Sequence, residues 1–345
     1  MRLLLYPFSF LYAIITNIRN LFFDIGIITT KKYDIPIICV GNLSSGGTGK
    51  TPLTDYLLTL LSNRKVAVLS RGYGRKTKGF KVVETESKAK LVGDEPLLLK
   101  QHHPNNLVIV DKSRTRAIER IMRNHPEIEI IIMDDGFQHR KVKAGLNILI
   151  TDYHLPYYKD YLLPIGTLRE SKKSSERADI IMVSKAPKDL NPTEKKGIMQ
   201  QLGIFITQRG YFSNIIYKKW KHFTNNTELI NEEIYSITLV SGIANPNPLI
   251  SKLEQDGHKI TLMQFADHHN YTKSDIKAIL KQYNQHKCVK KLILTTEKDA
   301  VKLKAFESEF EDVDLYIAPI QTEIVEKENF EKQILNYVST NTTNC

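Results

Sequence analysis

PIICVGNLSSGGTGKTP, residues 36–52, decides the reading of this chain. The apolar run Pro36–Gly41 reads as a short buried strand, and a helical pattern extends from Thr51 to about Ser62. Strand, glycine-rich turn and helix, in that order, make a phosphate-binding loop. Glycines let backbone N–H groups turn inward around phosphate oxygens, and the helix start adds the positive end of its dipole. The loop is Ser44-Ser45-Gly46-Gly47-Thr48-Gly49-Lys50-Thr51. Lys50 is placed to reach the β- and γ-phosphates of a nucleotide, and the Thr51 hydroxyl to hold Mg²⁺. Ser44 stands where the usual pattern has its first glycine, and Gly46 and Gly47 partly compensate.

Outward from this loop, Val66–Ser70, Leu107–Val110, Ile128–Met133, Leu146–Thr151 and Asp179–Ser184 are apolar throughout rather than alternating. Strands of a parallel sheet covered on both faces have that texture. Helical patterns at Gly93–Gln101 and Ser113–Asn124 alternate with them. The expected fold class is therefore α/β, a P-loop NTPase-like doubly wound parallel sheet. Beyond about residue 205 the pattern changes. Residues 210–223 read as antiparallel or linker strands. A further α/β round follows, with strands at 236–241, 259–263, 291–295 and 315–317 and a last helix near 328–338. The expected organisation is an apolar membrane-associated helix (1–30), a P-loop lobe (31–205), linker strands (206–235) and a smaller α/β lobe (236–345). The polar end, 339–345, reads as frayed.

The 345 residues, 41% of them hydrophobic and 25% charged, suffice for a sizeable core. They exclude a disordered tail, collagen or a disulfide-stapled miniprotein. The net charge of +11 points to an anionic partner: nucleic acid, an acidic membrane face or a phosphorylated substrate. Cys39, Cys288 and Cys345 are sparse and far apart, which suits a reducing compartment and supports no zinc or redox motif. Residues 3–15, LLLYPFSFLYAII, are uncharged but too short to cross a bilayer, and no signal-peptide cleavage site follows them. With Leu21, Phe22 and Phe23 beside Arg19, the segment reads as an amphipathic helix in a membrane interface. The alternative is a helix packed on the protein's own core.

A P-loop also needs an acidic residue at a nearby strand end to organise the metal. Asp134 and Asp135 follow IEIIIM and fit, although spacing does not say which one touches Mg²⁺, and Asp-Asp-Gly is also a turn sequence. These residues predict nucleotide binding and leave the reaction open among a kinase, a nucleotide switch and a transport or partition ATPase. Asp94 before Glu95-Pro96 also reads as a helix cap. Glu95 is placed either to assist the metal or to favour the helix start.

The loop does not stand alone. VGNLSSGGTGKTP (40–52), SRGYGRKTKG (70–79), VGDEPLLL (92–99), DDGFQHR (134–140), LLPIGTLRE (162–170), FADHHNYT (265–272) and TTEKDAVKL (295–303) occur in this order. The set resembles the tetraacyldisaccharide 4′-kinases, the lipid A 4′-kinases, over nearly the whole chain. DDGFQHR and the RGYGR loop carry more specificity than the P-loop. The resemblance implies ATP and Mg²⁺, and transfer of the γ-phosphate to the 4′-hydroxyl of tetraacyldisaccharide 1-phosphate. It also implies a cytoplasmic-facing enzyme on the inner membrane, with two α/β lobes joined by a β-ribbon.

On that basis Asp94 is the expected base for the sugar hydroxyl. His268 is its partner, orienting it or relaying the proton, and Asp267 steers the imidazole. Arg71 and Arg75, with Gly72 allowing close approach, suit phosphate recognition. Arg114, Arg116, Gln138, His139 and Arg169 are expected at the disaccharide or its 1-phosphate only through their place in family-like segments. The partners so implied are an anionic glycolipid and a membrane surface. No nucleic-acid motif is present. A soluble P-loop kinase or ligase of a small metabolite, and a membrane-attached nucleotide switch, are the competing readings.

Overall fold

The apolar runs become strands, and the computed structural model describes residues 5–230 and 233–342. In chain order the strands are β1 (Ile37–Asn42), β2 (Val66–Ser70), β3 (Lys81–Val83), β4 (Leu107–Val110), β5 (Ile130–Asp134), β6 (Leu146–Asp152), β7 (Ile180–Ser184), β8 (Arg209–Tyr217), β9 (Lys221–His222), β10 (Ser236–Ser241), β11 (Lys259–Gln264), β12 (Lys291–Thr296), β13 (Leu315–Ala318) and β14 (Ile320–Ile324). Nine form one sheet in the order β14-β8-β7-β6-β1-β5-β2-β4-β3, and five form a second, β11-β10-β12-β13-β9. From β8 to β4 the first sheet is parallel, with antiparallel β14 and β3 at its edges.

The helices are α1 (Tyr6–Asp24), α2 (Lys50–Leu60), α3 (Ala89–Val92), α4 (Asp94–His102), α5 (Arg114–Asn124), α6 (Pro192–Leu202), α7 (Asn247–Gln255), α8 (Lys273–Gln285), α9 (Glu297–Leu303) and α10 (Lys327–Asn341). Alternate residues of β1 point to opposite faces. Ile38 and Val40 join Leu53 and Leu57 of α2, Leu97 of α4 and Phe330 of α10. Ile37 and Cys39 join Ile118 and Ile121 of α5. Both faces are covered, so the sheet is doubly wound as expected. The chain passes from β5 to β6 across β1, so the loop after β1 lies at a topological switch, where open α/β sheets bind ligands.

Two crossings join the sheets and run side by side. Ser213–Tyr217 of β8 pairs with Ile320–Ile324 of β14, and the Lys218 N–H donates to the Pro319 carbonyl at 2.9 Å. Strand β14 and helix α10 thereby return to the first sheet. Phe330, Ile334 and Val338 complete its core, and the Tyr337 hydroxyl bonds both the N–H and the carbonyl of Ile37. The sequence grouping put this segment with the second lobe. An i, i+4 apolar stripe states that a face is buried but not which sheet buries it. The expected frayed end is helical as far as Asn341, and residues 343–345, Cys345 among them, lie outside the described residues.

Helix α1 is turned the other way from an ordinary surface helix. Its buried residues are Ser9, Asn20 and Phe23, whereas Phe8 is 64% and Phe10 is 70% exposed. Residues 3 and 4 of the apolar run lie outside the described residues. Among the described residues no helix is long and apolar enough to cross a membrane.

Because Phe330 is fully buried under the first sheet, Phe330→Ala is expected to cost about 3–5 kcal/mol. Denaturant titration of the two proteins measures this. A loss below about 1 kcal/mol would mean that α10 does not complete the core.

Candidate active site

The P-loop is built by positive-φ backbone and cross-links. Gly49, at φ 90°, is the residue before α2, a conformation that a side chain would strain. The Asn42 amide donates to the Thr48 hydroxyl at 2.7 Å, and the Ser184 hydroxyl donates to the Thr48 carbonyl at 2.7 Å. The Ser45 N–H donates to the Thr167 carbonyl at 2.7 Å. Lys185 bridges the Gly47 carbonyl and Asp152. The loop's shape is thus fixed by side chains of β1, of β7 and of Lys185 after it, and by the backbone of the segment 162–170.

Two neighbouring carboxylates below the loop differ in charge state. Asp135 accepts two bonds from the Arg169 guanidinium, at 2.9 and 3.2 Å, and lies 3.6 Å from Lys50 Nζ. Burial alone would raise its carboxyl, but Lys50 and Arg169 hold it well below the usual carboxylate range. Asp134 is buried, and among the described residues its carboxyl has one hydrogen-bond partner, the Thr54 hydroxyl at 3.4 Å. Burial first, then Glu95 and Asp135, push it up to about 7. A buried carboxyl facing two other carboxylates suits a divalent cation. Among the described residues no group of three or more His, Cys, Asp or Glu could hold a metal alone.

Across from the loop, α4 and α9 meet between the lobes. Asp94 starts α4 and is buried. Its Oδ2 lies 2.9 Å from His268 Nδ1, and its Oδ1 accepts the Glu95 N–H at 3.1 Å. Burial opposes ionisation, but His268 and Lys298 hold Asp94 below its ordinary range, so it is a carboxylate. His268 has φ 58°, its ring lies 4.9 Å from that of Tyr73, and Asp267 Oδ2 is 3.8 Å from its Nε2. Gly72 has a structural reason beyond phosphate access: a Cβ there would sit 2.6 Å from the Val92 carbonyl. The RGYG loop can therefore lie against the turn that delivers Asp94.

The remaining expected residues divide. Gln138 donates to the Asn42 carbonyl at 2.8 Å, and its own carbonyl accepts from Arg19 of α1. Buried Arg114 donates to the carbonyls of Asp111 and Asp134 and braces the strand end from below. Burial and Arg114 depress His139 to about 3, so its imidazole is neutral. Arg71 is exposed. Arg75 donates to the carbonyls of Val110 and Gly79, and Arg116 pairs with Asp111 at 2.6 Å. The structure therefore engages Arg75 and Arg116 in holding loops. Sequence reasoning missed Lys298, 3.1 Å from Glu95, and Asn42; the TTEKD and VGN motifs were their only signal.

A family profile described as tetraacyldisaccharide-1-P 4′-kinase matches residues 1–339. A relative from Bacteroides fragilis (strain YCH46), named tetraacyldisaccharide 4′-kinase, is 41% identical, with 99% of this chain and 94% of the relative covered. Another of that name, from Flavobacterium johnsoniae, is 39% identical, with 99% and 98% covered. A solved structure described as an "apo" form of LpxK from Aquifex aeolicus in complex with ATP is similar with TM-score 0.77 and 30% identity, over 98% of this chain and 99% of that one.

The Asp134 environment predicts a pH dependence. The folded chain keeps this proton up to about pH 7, whereas an unfolded aspartate releases it near pH 4. The native state binds the extra proton in that window, so stability falls as pH rises through it. Asp135, with its lowered value, changes only below the window. Thermal melts of the nucleotide-free protein from pH 5 to 8 should decline more steeply for the natural chain than for Asp134→Asn. Equal slopes would contradict the assignment.

Proposed function

The chain belongs to the tetraacyldisaccharide-1-P 4′-kinase family, and on that footing we infer that it transfers the γ-phosphate of ATP to the 4′-hydroxyl of tetraacyldisaccharide 1-phosphate. The step belongs to lipid A synthesis. The observation that carries this reading is the pairing of Asp94 with His268 across the cleft from the P-loop. A base held ionised beside a nucleotide loop is what an alcohol acceptor requires. Family membership leaves the soluble-metabolite kinase and the nucleotide switch without support.

The residues divide the work as follows. The N–H groups of Gly46–Thr51 and the Lys50 ammonium receive the β- and γ-phosphates. Thr51, Asp134 and Asp135 are the residues that would hold Mg²⁺, with Glu95 nearby in ion pair with Lys298. Held by these residues, Mg²⁺ would supply positive charge against the phosphate oxygens. Arg169 keeps Asp135 ionised and oriented. Asp94 takes the proton of the 4′-hydroxyl as the sugar oxygen bonds to phosphorus, the bond to ADP breaks, and the proton ends on Asp94. Lobes closed over the headgroup would exclude water, the competing acceptor. Exposed Arg71 would meet the anionic headgroup.

The membrane reading rests on α1. Its exposed face carries Phe8, Phe10, Leu11, Ile15 and Ile18, while its polar face grips the site. Tyr12 donates to the Arg169 carbonyl at 3.0 Å, Arg19 to Gln138 at 2.7 Å, and Arg140 to the Asn20 carbonyl at 2.9 Å. An interfacial helix anchored in this way keeps the catalytic cleft at headgroup level, with the acyl chains left in the bilayer. The basic surplus would favour an acidic membrane face, and we place the enzyme on the cytoplasmic face of the inner membrane.

Incubation with labelled ATP, Mg²⁺ and tetraacyldisaccharide 1-phosphate tests the reading. The lipid should acquire label, Lys50→Ala should remove nearly all transfer, and Asp94→Ala should lower kcat by about 10²–10⁴-fold with ATP affinity near normal. An unlabelled lipid from folded protein would refute the activity, and full turnover by Asp94→Ala would refute the base. Replacing Phe8, Phe10 and Leu11 together by serine should release the protein from sedimenting anionic vesicles. Unchanged sedimentation would refute the role of α1.

A further inference from the structure

Lys298 lies in the first turn of α9, with its side chain 20% exposed. A cation there opposes the helix dipole, which favours acidic groups at that end. Its place is therefore not explained by the stability of α9. Three partners surround its ammonium: Glu95 Oε1 of the other lobe at 3.1 Å, Asp267 Oδ1 at 3.7 Å and His268 Nε2 at 3.3 Å. The first two are carboxylates. The third is the far nitrogen of the imidazole whose near nitrogen meets Asp94 at 2.9 Å.

An ammonium has donors and no acceptor. Its contact with Nε2 is favourable only if that nitrogen presents a lone pair. The imidazole must then carry its proton on Nδ1, where it donates to the Asp94 carboxylate. An imidazolium would point an Nε2–H at the ammonium and set two cations 3.3 Å apart. The charged groups facing His268 are Asp94 on α4, Asp267 on its own loop and Lys298 on α9, with the Tyr73 ring against its face. Both carboxylates favour the imidazolium. Burial and Lys298 oppose it, and the balance of these groups, Asp94 foremost, lifts the imidazole above its ordinary value.

We propose that Lys298 is a positioning residue for the phosphoryl transfer: by donating to His268 Nε2 while paired with Glu95 across the lobe junction, it holds His268 as the neutral Nδ1–H tautomer that orients Asp94. His268 is then a hydrogen-bond donor and not a proton relay, because its outer nitrogen is already engaged. The proton of the sugar hydroxyl stops at Asp94. This deepens the kinase reading and rests on it for its consequence in turnover, but the tautomer itself is a property of the protein without substrate.

Nitrogen-15 NMR of the full-length, histidine-labelled protein reads the tautomer, with His268→Gln identifying the resonances. In the natural chain at pH 7.5, Nδ1 should be protonated and Nε2 not. In Lys298→Met the Nε2 resonance should move towards the protonated range. The same variant should lose about tenfold in kcat with KM for ATP little changed, and Lys298→Arg should recover part of it. A protonated Nε2 in the natural chain overturns the proposal, and that measurement needs no variant to fold. An unmoved Nε2 resonance or unchanged kcat in folded Lys298→Met overturns it as well. If the tautomer behaves as stated while the natural chain labels no lipid, the kinase reading fails and the tautomer assignment stands.

Discussion

One hydrogen bond, from His268 of the second lobe to Asp94 of the first, sets the geometry on which the site depends. Each residue reaches it through a constrained backbone. Asp94 follows Gly93, at φ 97°, and His268 itself sits at φ 58°. The two helices that frame the bond are pinned again at their other side. His102, at the end of α4, lies between Asp55 at 2.9 Å and Glu297 of α9 at 3.0 Å. Burial disfavours its charge, but the two carboxylates push it up to about 10, so it joins the lobes as a cation. Glu297 and Lys298 are consecutive, one facing this ion pair and the other the catalytic pair. A shift of α9 against α4 would therefore disturb both together.

The first lobe follows the same logic of groups held in states they would not choose alone. Asp135 is ionised because Lys50 and Arg169 face it, and Asp134 is pushed towards its protonated form by burial and by Glu95 and Asp135, which outweigh Lys50 and Arg114. Such a carboxyl is unfavourable in the empty protein and favourable once a cation and phosphates arrive. Helix α1 shows a related inversion, with Ser9 and Asn20 inside and Phe8 and Phe10 outside. In water that arrangement exposes a large apolar face, which in soluble proteins marks an interaction surface.

Much of this was legible in the residues. Unbroken apolar runs such as IEIIIM identified buried parallel strands, because both faces of β5 are covered. Glycines flanking Thr48 located the loop, since few other residues allow its backbone. What was hidden had weaker local signals. Strand β14 is a short edge with alternating burial, and α10 could have covered either sheet. Arg75 suited phosphate by its charge and Arg116 was expected through its family-like segment, whereas the Val110 carbonyl that engages Arg75 comes from β4 and Asp111 turns back on Arg116 only once the loop before α5 is folded. Lys298 was missed for the same reason. Its three partners come from positions 95, 267 and 268, and only the meeting of the lobes brings them together.

The central claim is that Asp94 and His268 act as one unit assembled between lobes. A double-mutant cycle on kcat, with Asp94→Asn, His268→Gln and the pair, tests it most directly. If the two act together, the double variant should be no slower than the worse single one, within about a factor of three. Fully additive losses, with the double variant slowed by the product of the two single effects, would contradict the account.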